Sequence, residues 1–130
     1  MLRPKGGDRV ARLADLERRF AELLERLRPD CAAVESSFSG RNPRSGHALA
    51  ESRGVILAAL GRSATATSSY SPAEVKLAIV GHGRAEKQQI VYMVTRLLGL
   101  AAEPAQDAAD AIAVGLTHLH SSSRMALVDG

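Results

Sequence analysis

The amino-acid sequence predicts a helix-rich α/β domain, and three observations carry that reading. Five segments repeat apolar residues at the period of a helix, and two short stretches have the length of strands. The 45% hydrophobic content is made mostly of Ala, Leu and Val, with only 3% aromatics, which suits a core of small, close-packed aliphatic side chains. At 130 residues the chain has the length of a single domain with one core, 1–130.

Val10, Leu13, Leu16, Phe20, Leu23, Leu24 and Leu27 lie on one face of the first helix, with Asp15, Arg18, Arg19, Glu22 and Arg26 opposite. Pro29 ends that helix, because the residue before a proline is pushed out of the helical region. Cys31–Glu35 is short and apolar and follows the turn Arg28-Pro29-Asp30, so a buried strand is expected, with Cys31 a small apolar filler. A polar loop over residues 36–44 follows. Residues 45–61 repeat Ala48, Leu49, Ser52, Val55, Ile56, Ala59 and Leu60 at helical spacing. Gly54 costs that helix about 1 kcal/mol unless a neighbour packs closely there, so a tight helix contact is expected at Gly54.

Residues 65–70 alternate weakly as a strand. Ser71, Pro72 and Glu74 then combine a capping box with proline at the first helical position, which starts a helix over Pro72–Val80 that Gly81-His82-Gly83 breaks. A fourth helix covers residues 85–98, with Ile90, Val91, Val94, Leu97 and Leu98 inward and Gly99 closing it. The last begins after Pro104 and runs to about His120, leaving 121–130 as a flexible tail. The longest apolar run, residues 54–60, is too short to cross a bilayer, and the first seven residues hold no signal-peptide core. A soluble, cytoplasmic protein without a membrane partner is therefore expected. The lone cysteine excludes an internal disulfide, and a net charge of +3 mildly favours anionic partners.

Three acids are the candidates for chemistry, each with a structural reading of comparable weight. Glu35 stands at the carboxyl end of a strand, where open α/β sheets bind ligands. Asp107 and Asp110 lie a helical turn apart on one face. Carboxylates so placed suit a hard divalent cation such as Mg2+ facing phosphate, although acids in a first helical turn are also favoured by the helix dipole alone. Lys87, at a helix N-terminus, is poorly placed for that dipole and calls for a compensating anion. His82, His118 and His120 are assigned no metal, the last two sitting at a helix end where positive charge is favourable.

Read together, Glu35-Ser36-Ser37-Phe38, Asn42-Pro43-Arg44-Ser45, Arg53-Gly54-Val55, Tyr70-Ser71-Pro72, Val75-Lys76, the run from Val80 through Gly81-His82-Gly83-Arg84-Ala85-Glu86 to Lys87, Met93-Val94 and Asp107-Ala108-Ala109-Asp110-Ala111 resemble the bacterial RuvC-type Holliday-junction resolvases. The resemblance spans residues 10–118 in order. It implies an RNase H-like fold, a homodimer, and Mg2+-dependent paired nicking of four-way DNA junctions in recombination and repair. It admits a branch-migration motor complex as a further partner. Glu35, Asp107 and Asp110 match three of the family's four catalytic, metal-binding acids. Phe38 matches the aromatic that meets opened junction bases, and Lys76 and Lys87 match basic residues near the scissile phosphate. Arg41, Arg44, Arg53 and Arg84 supply charge suited to phosphate backbone contacts.

The fourth acid of the family lies on a first strand, in a motif like Gly-Ile-Asp-Pro-Gly, that this sequence lacks; Asp8 has no strand around it. The sequence opens near the end of the family's three-strand meander, so an RNase H-like fold without its first three strands is expected. A truncated chain of this kind, from a misplaced start or a gene fragment, would expose an apolar edge on the strand at Cys31–Glu35 and be inactive as written. The alternative is a non-catalytic junction-binding or dimerisation module.

Overall fold

The computed structural model describes residues 8–36 and 43–129, with the backbone alone for residues 43–45 and 122–129. The element order is α1 (Arg9–Leu27), β1 (Cys31–Glu35), α2 (Pro43–Arg62), β2 (Ala66–Tyr70), α3 (Pro72–Val80), α4 (Lys87–Leu97) and α5 (Gln106–Asp129), the helix and strand order expected. β1 and β2 pair as a small parallel sheet of two strands. The chain divides into two compact units, residues 1–32 with 38–67 and residues 33–37 with 68–130.

The first unit is a pair of helices. Asp8 caps α1 by accepting the Ala11 N–H at 2.7 Å, and Arg28 ends it in the left-handed region at φ 46°. Asp8 thus has a structural task as a cap. Leu16 and Leu24 of α1 are buried, as are Ala59 and Leu60 of α2, while Val10 and Leu27, at the two ends of the apolar stripe, stay exposed. Arg9 pairs with Glu51 at 3.1 Å and Arg62 with Glu17 at 3.2 Å, so both helices advance in the same direction. The expected close contact at Gly54 is absent: Gly54 is exposed, and a Cβ built there meets nothing within 4 Å. Its small size serves no packing in the described chain. Cys31 is also exposed, because it is the first residue of β1 and only the three central residues of that strand are partly covered.

The second unit places α3, α4 and α5 around one aliphatic cluster of Val75, Ile79, Ala85, Ile90, Val94, Ala113 and Val114. Ala33 of β1 and Tyr70 of β2 pack against it. The Ser71 hydroxyl accepts the Glu74 N–H at 3.1 Å and Glu74 accepts the Ser71 N–H at 3.2 Å, closing the predicted capping box of α3. Gly81 terminates α3 at φ 98°, a conformation that L side chains rarely adopt. α4 begins two residues later than expected. Its N-cap is Glu86, whose N–H donates to Gln89 Oε1 at 2.8 Å, and this satisfies a donor that a helix starting at Ala85 would leave open. Leu97 and Leu98, expected inward, are 49% and 46% exposed, because the last turn of α4 runs past the cluster. α5 continues to Asp129, beyond the expected end at about His120.

Candidate active site

Glu35, Asp107, Asp110, Lys76, Arg84 and Lys87 all belong to the second unit, so their placement rests on one core. β1 delivers Glu35 at its carboxyl end. The next residue holds the strand in register, since the Ser36 N–H donates to the Tyr70 carbonyl at 2.8 Å. α5 carries Asp107 in its first turn and Asp110 one turn on, both exposed. Gln106 Nε2 donates to Asp110 Oδ1 at 2.9 Å, which restrains that carboxylate while leaving its other oxygen available. The helix can come close to its neighbours because Ala109 and Ala113, on its inner face, are fully buried and small.

The electrostatics tie three of these groups together. The Glu35 carboxyl is pushed above its ordinary range, first by the protein that displaces water from around it, then by the negative charge of Asp110; the Lys76 ammonium pulls it back down. Glu35, Asp110 and Lys76 therefore share one neighbourhood. A carboxylate whose ionisation is made costlier by a neighbouring acid marks a place where a positive charge is favoured. No three His, Cys, Asp or Glu side chains among the described residues stand as a ready-made metal cluster. The pairing that is present is Glu35 with Asp110, and Asp107 lies a turn earlier on the same helix.

The remaining expected residues fall in two groups. Arg84 is exposed in the turn after α3, and Lys87 is exposed as the first residue of α4, where its charge opposes the helix dipole. Phe38 and Arg41 lie outside the described residues, and Arg44 is described only as backbone in α2. Arg53 belongs to α2 in the first unit.

One pair of side chains is joined only by the tertiary structure. The Tyr70 hydroxyl and His118 Nδ1 share a hydrogen bond of 2.7 Å, with the rings edge to face at 5.8 Å. The sequence places His118 at a helix end, where a dipole would favour its charge, whereas α5 runs eleven residues further, to Asp129. The available signal was Tyr70 closing an otherwise small-residue strand.

The sequence profile described as "Crossover junction endodeoxyribonuclease RuvC" matches residues 1–118. Proteins of that name from Alkalilimnicola ehrlichii and Azorhizobium caulinodans are 46% identical over 115 residues and 43% identical over 127. These alignments cover 88% and 98% of this chain, and 70% and 75% of the relatives. The Thermus thermophilus RuvC structure superposes with a TM-score of 0.80 at 33% identity, covering 92% of this chain and 72% of that one. The same protein in complex with Holliday junction substrate gives 0.79 at 33% identity, over 89% and 71% of the two chains. A profile match over most of the sequence, relatives above two-fifths identity and a shared RNase H-like α/β fold place this chain in the RuvC crossover junction endodeoxyribonuclease family.

Proposed function

We propose that this protein is a structure-selective endodeoxyribonuclease that nicks four-way DNA junctions with Mg2+, using Glu35, Asp107 and Asp110 as its catalytic acids. The observation that supports this most is the meeting of Glu35 and Asp110 beside Lys76, at the carboxyl end of a strand. The donors fit the ion: Mg2+ binds through one or two carboxylates and keeps several waters, leaving positions for phosphate oxygens. When bound, the ion supplies an activated water and neutralises charge developing on the phosphate.

The chain's own residues prepare that chemistry. Glu35 and Asp110 offer oxygens from two elements held by one core, and Asp107 adds a third carboxylate from the first turn of α5. Lys76 brings positive charge to the same neighbourhood, where a phosphate would sit, and Arg84 and Lys87 are exposed for backbone contacts. Phe38, three residues beyond Glu35, would stack on an unpaired base, with Arg41 and Arg44 on nearby phosphates. Paired nicks on opposed strands call for two sites related by a two-fold axis, which a homodimer supplies.

A synthetic four-way junction incubated with the protein, in Mg2+ or in a chelator, tests the reading. Symmetric nicks that need Mg2+ are expected, with Asp110→Asn slowing them by about 100-fold or more while junction binding in chelator persists. A retarded junction that is never nicked would instead make the protein a non-catalytic junction binder. Absence of both binding and nicking would remove both readings.

A further inference from the structure

Glu35 ends β1 and Asp110 stands on α5, so for both to serve one cation the two elements must be held in a fixed relation within their unit. The aliphatic cluster under α5 supplies most of the adhesion. Apolar burial is non-directional, so a directional contact between elements adds to what the cluster fixes. A hydrogen bond between side chains of two elements is directional and supplies such a contact. We propose that Tyr70 and His118 are positioning residues whose hydrogen bond fastens β2 to α5 and thereby sets the spacing of Glu35 and Asp110 for a divalent cation.

The linkage is continuous within the second unit. Glu35 is followed by Ser36, whose N–H donates to the Tyr70 carbonyl at 2.8 Å; the Tyr70 hydroxyl meets His118 Nδ1 at 2.7 Å; and His118 shares α5 with Asp110. Eight residues of helix separate His118 from Asp110, a rigid lever of about 12 Å. The bond is partly buried, so water competes for it only weakly, and the edge-to-face contact of the rings at 5.8 Å limits their tilt. Tyr70 also packs against the core cluster, which leaves its hydroxyl little freedom to seek another partner. Groups behind metal ligands commonly change metal affinity by about 10–100-fold when removed, without touching the ion.

This inference deepens the nuclease reading and rests on it for the identity of the ligand pair, yet its test does not depend on cleavage. The intact chain is titrated with Mn2+ as a spectroscopic stand-in for Mg2+, free ion being counted by electron paramagnetic resonance. The variants are Tyr70→Phe, His118→Ala, His118→Asn and Tyr70→Phe/His118→Ala, with Glu35→Gln as the control that removes the site. Melting temperatures and junction nicking are recorded on the same samples. Tyr70→Phe and His118→Ala are each expected to weaken Mn2+ binding by about tenfold. The double variant should be no weaker than His118→Ala, because both changes break one bond. His118→Asn, whose amide occupies nearly the place of Nδ1, should recover most of the affinity.

A purely structural role predicts lowered melting temperatures with Mn2+ affinity unchanged well below melting, and that result overturns the inference, as does wild-type protein that binds no Mn2+. If the wild type nicks junctions and all four variants bind Mn2+ equally well, the fastening role falls and the nuclease reading stands. If Mn2+ binding follows the expected pattern but no junction is nicked, the fastening role stands and the nuclease reading falls.

Discussion

Glu35 is costly to ionise in the folded chain, and that cost has a measurable sign. Its carboxyl titrates above the ordinary carboxylate range, chiefly because protein displaces water around it and next because of Asp110. Between the unfolded value, about 4.3, and the raised folded value, the folded chain binds more protons than the unfolded one. Stability therefore falls as pH rises through that window, and the deficit is complete above it. Glu35→Gln should accordingly melt higher than the wild type at pH 8 without metal, by about 1–2 °C, and equal it below about pH 4 where both side chains are neutral. Scanning calorimetry at the two pH values checks this. Mg2+ should reverse the ranking at pH 8, since it stabilises the ionised wild type alone. The placement of the acids was legible in the sequence, because a strand end and a helical i, i+3 pair are local patterns, whereas their candidate role came from the family resemblance. The Tyr70 and His118 bond was not, since its partners lie 48 residues apart and each had a sufficient local reading, as a strand end and as a helix end.

At the scale of the element, capping and glycine make opposite contributions. The Ser71 box satisfies two backbone groups at the start of α3, the helix that brings Lys76 to Glu35. Ser71→Ala should cost about 1 kcal/mol in urea unfolding, and Ser71→Gly only a few tenths. Gly54 lies within α2 without a neighbour in the space a Cβ would fill, so Gly54→Ala should stabilise the chain by about 0.5–1 kcal/mol in the same measurement. All seven elements were legible in order, because hydrophobic period, proline and the Ser71 box are written into adjacent residues. What escaped was tertiary. Whether Gly54, Cys31 and Leu97 face a neighbour depends on where other elements lie, and periodicity identifies an apolar face without saying how far the opposing surface extends. The end of α5 escaped for a different reason: residues 121–129 carry mixed polar and apolar side chains that neither demand nor forbid helix.

For the molecule as a whole, a net charge of only +3 is too small to hold DNA by its overall field, so affinity has to come from cations gathered near the acids. Lys76 stands in the neighbourhood of Glu35, and Arg84 and Lys87 are exposed cations of the same second unit. Each phosphate neutralised releases counterions and adds about −0.9 to the slope of log affinity against log salt. Three contacts per chain give a slope of about −2.7, which corresponds to a loss of about 40-fold in junction affinity between 50 and 200 mM salt. Lys87→Gln should weaken binding and make the slope shallower by about 1, in a chelator-containing titration followed by fluorescence anisotropy. The same change should weaken linear duplex and four-way junction alike, because phosphate contacts position the nucleic acid without reading its form. Preference for the junction would then survive both added salt and the loss of Lys87, since it comes from matching the shape of the branched substrate. A preference that vanished as salt rose would mean that charge density at the crossover, and not shape, is what the protein selects.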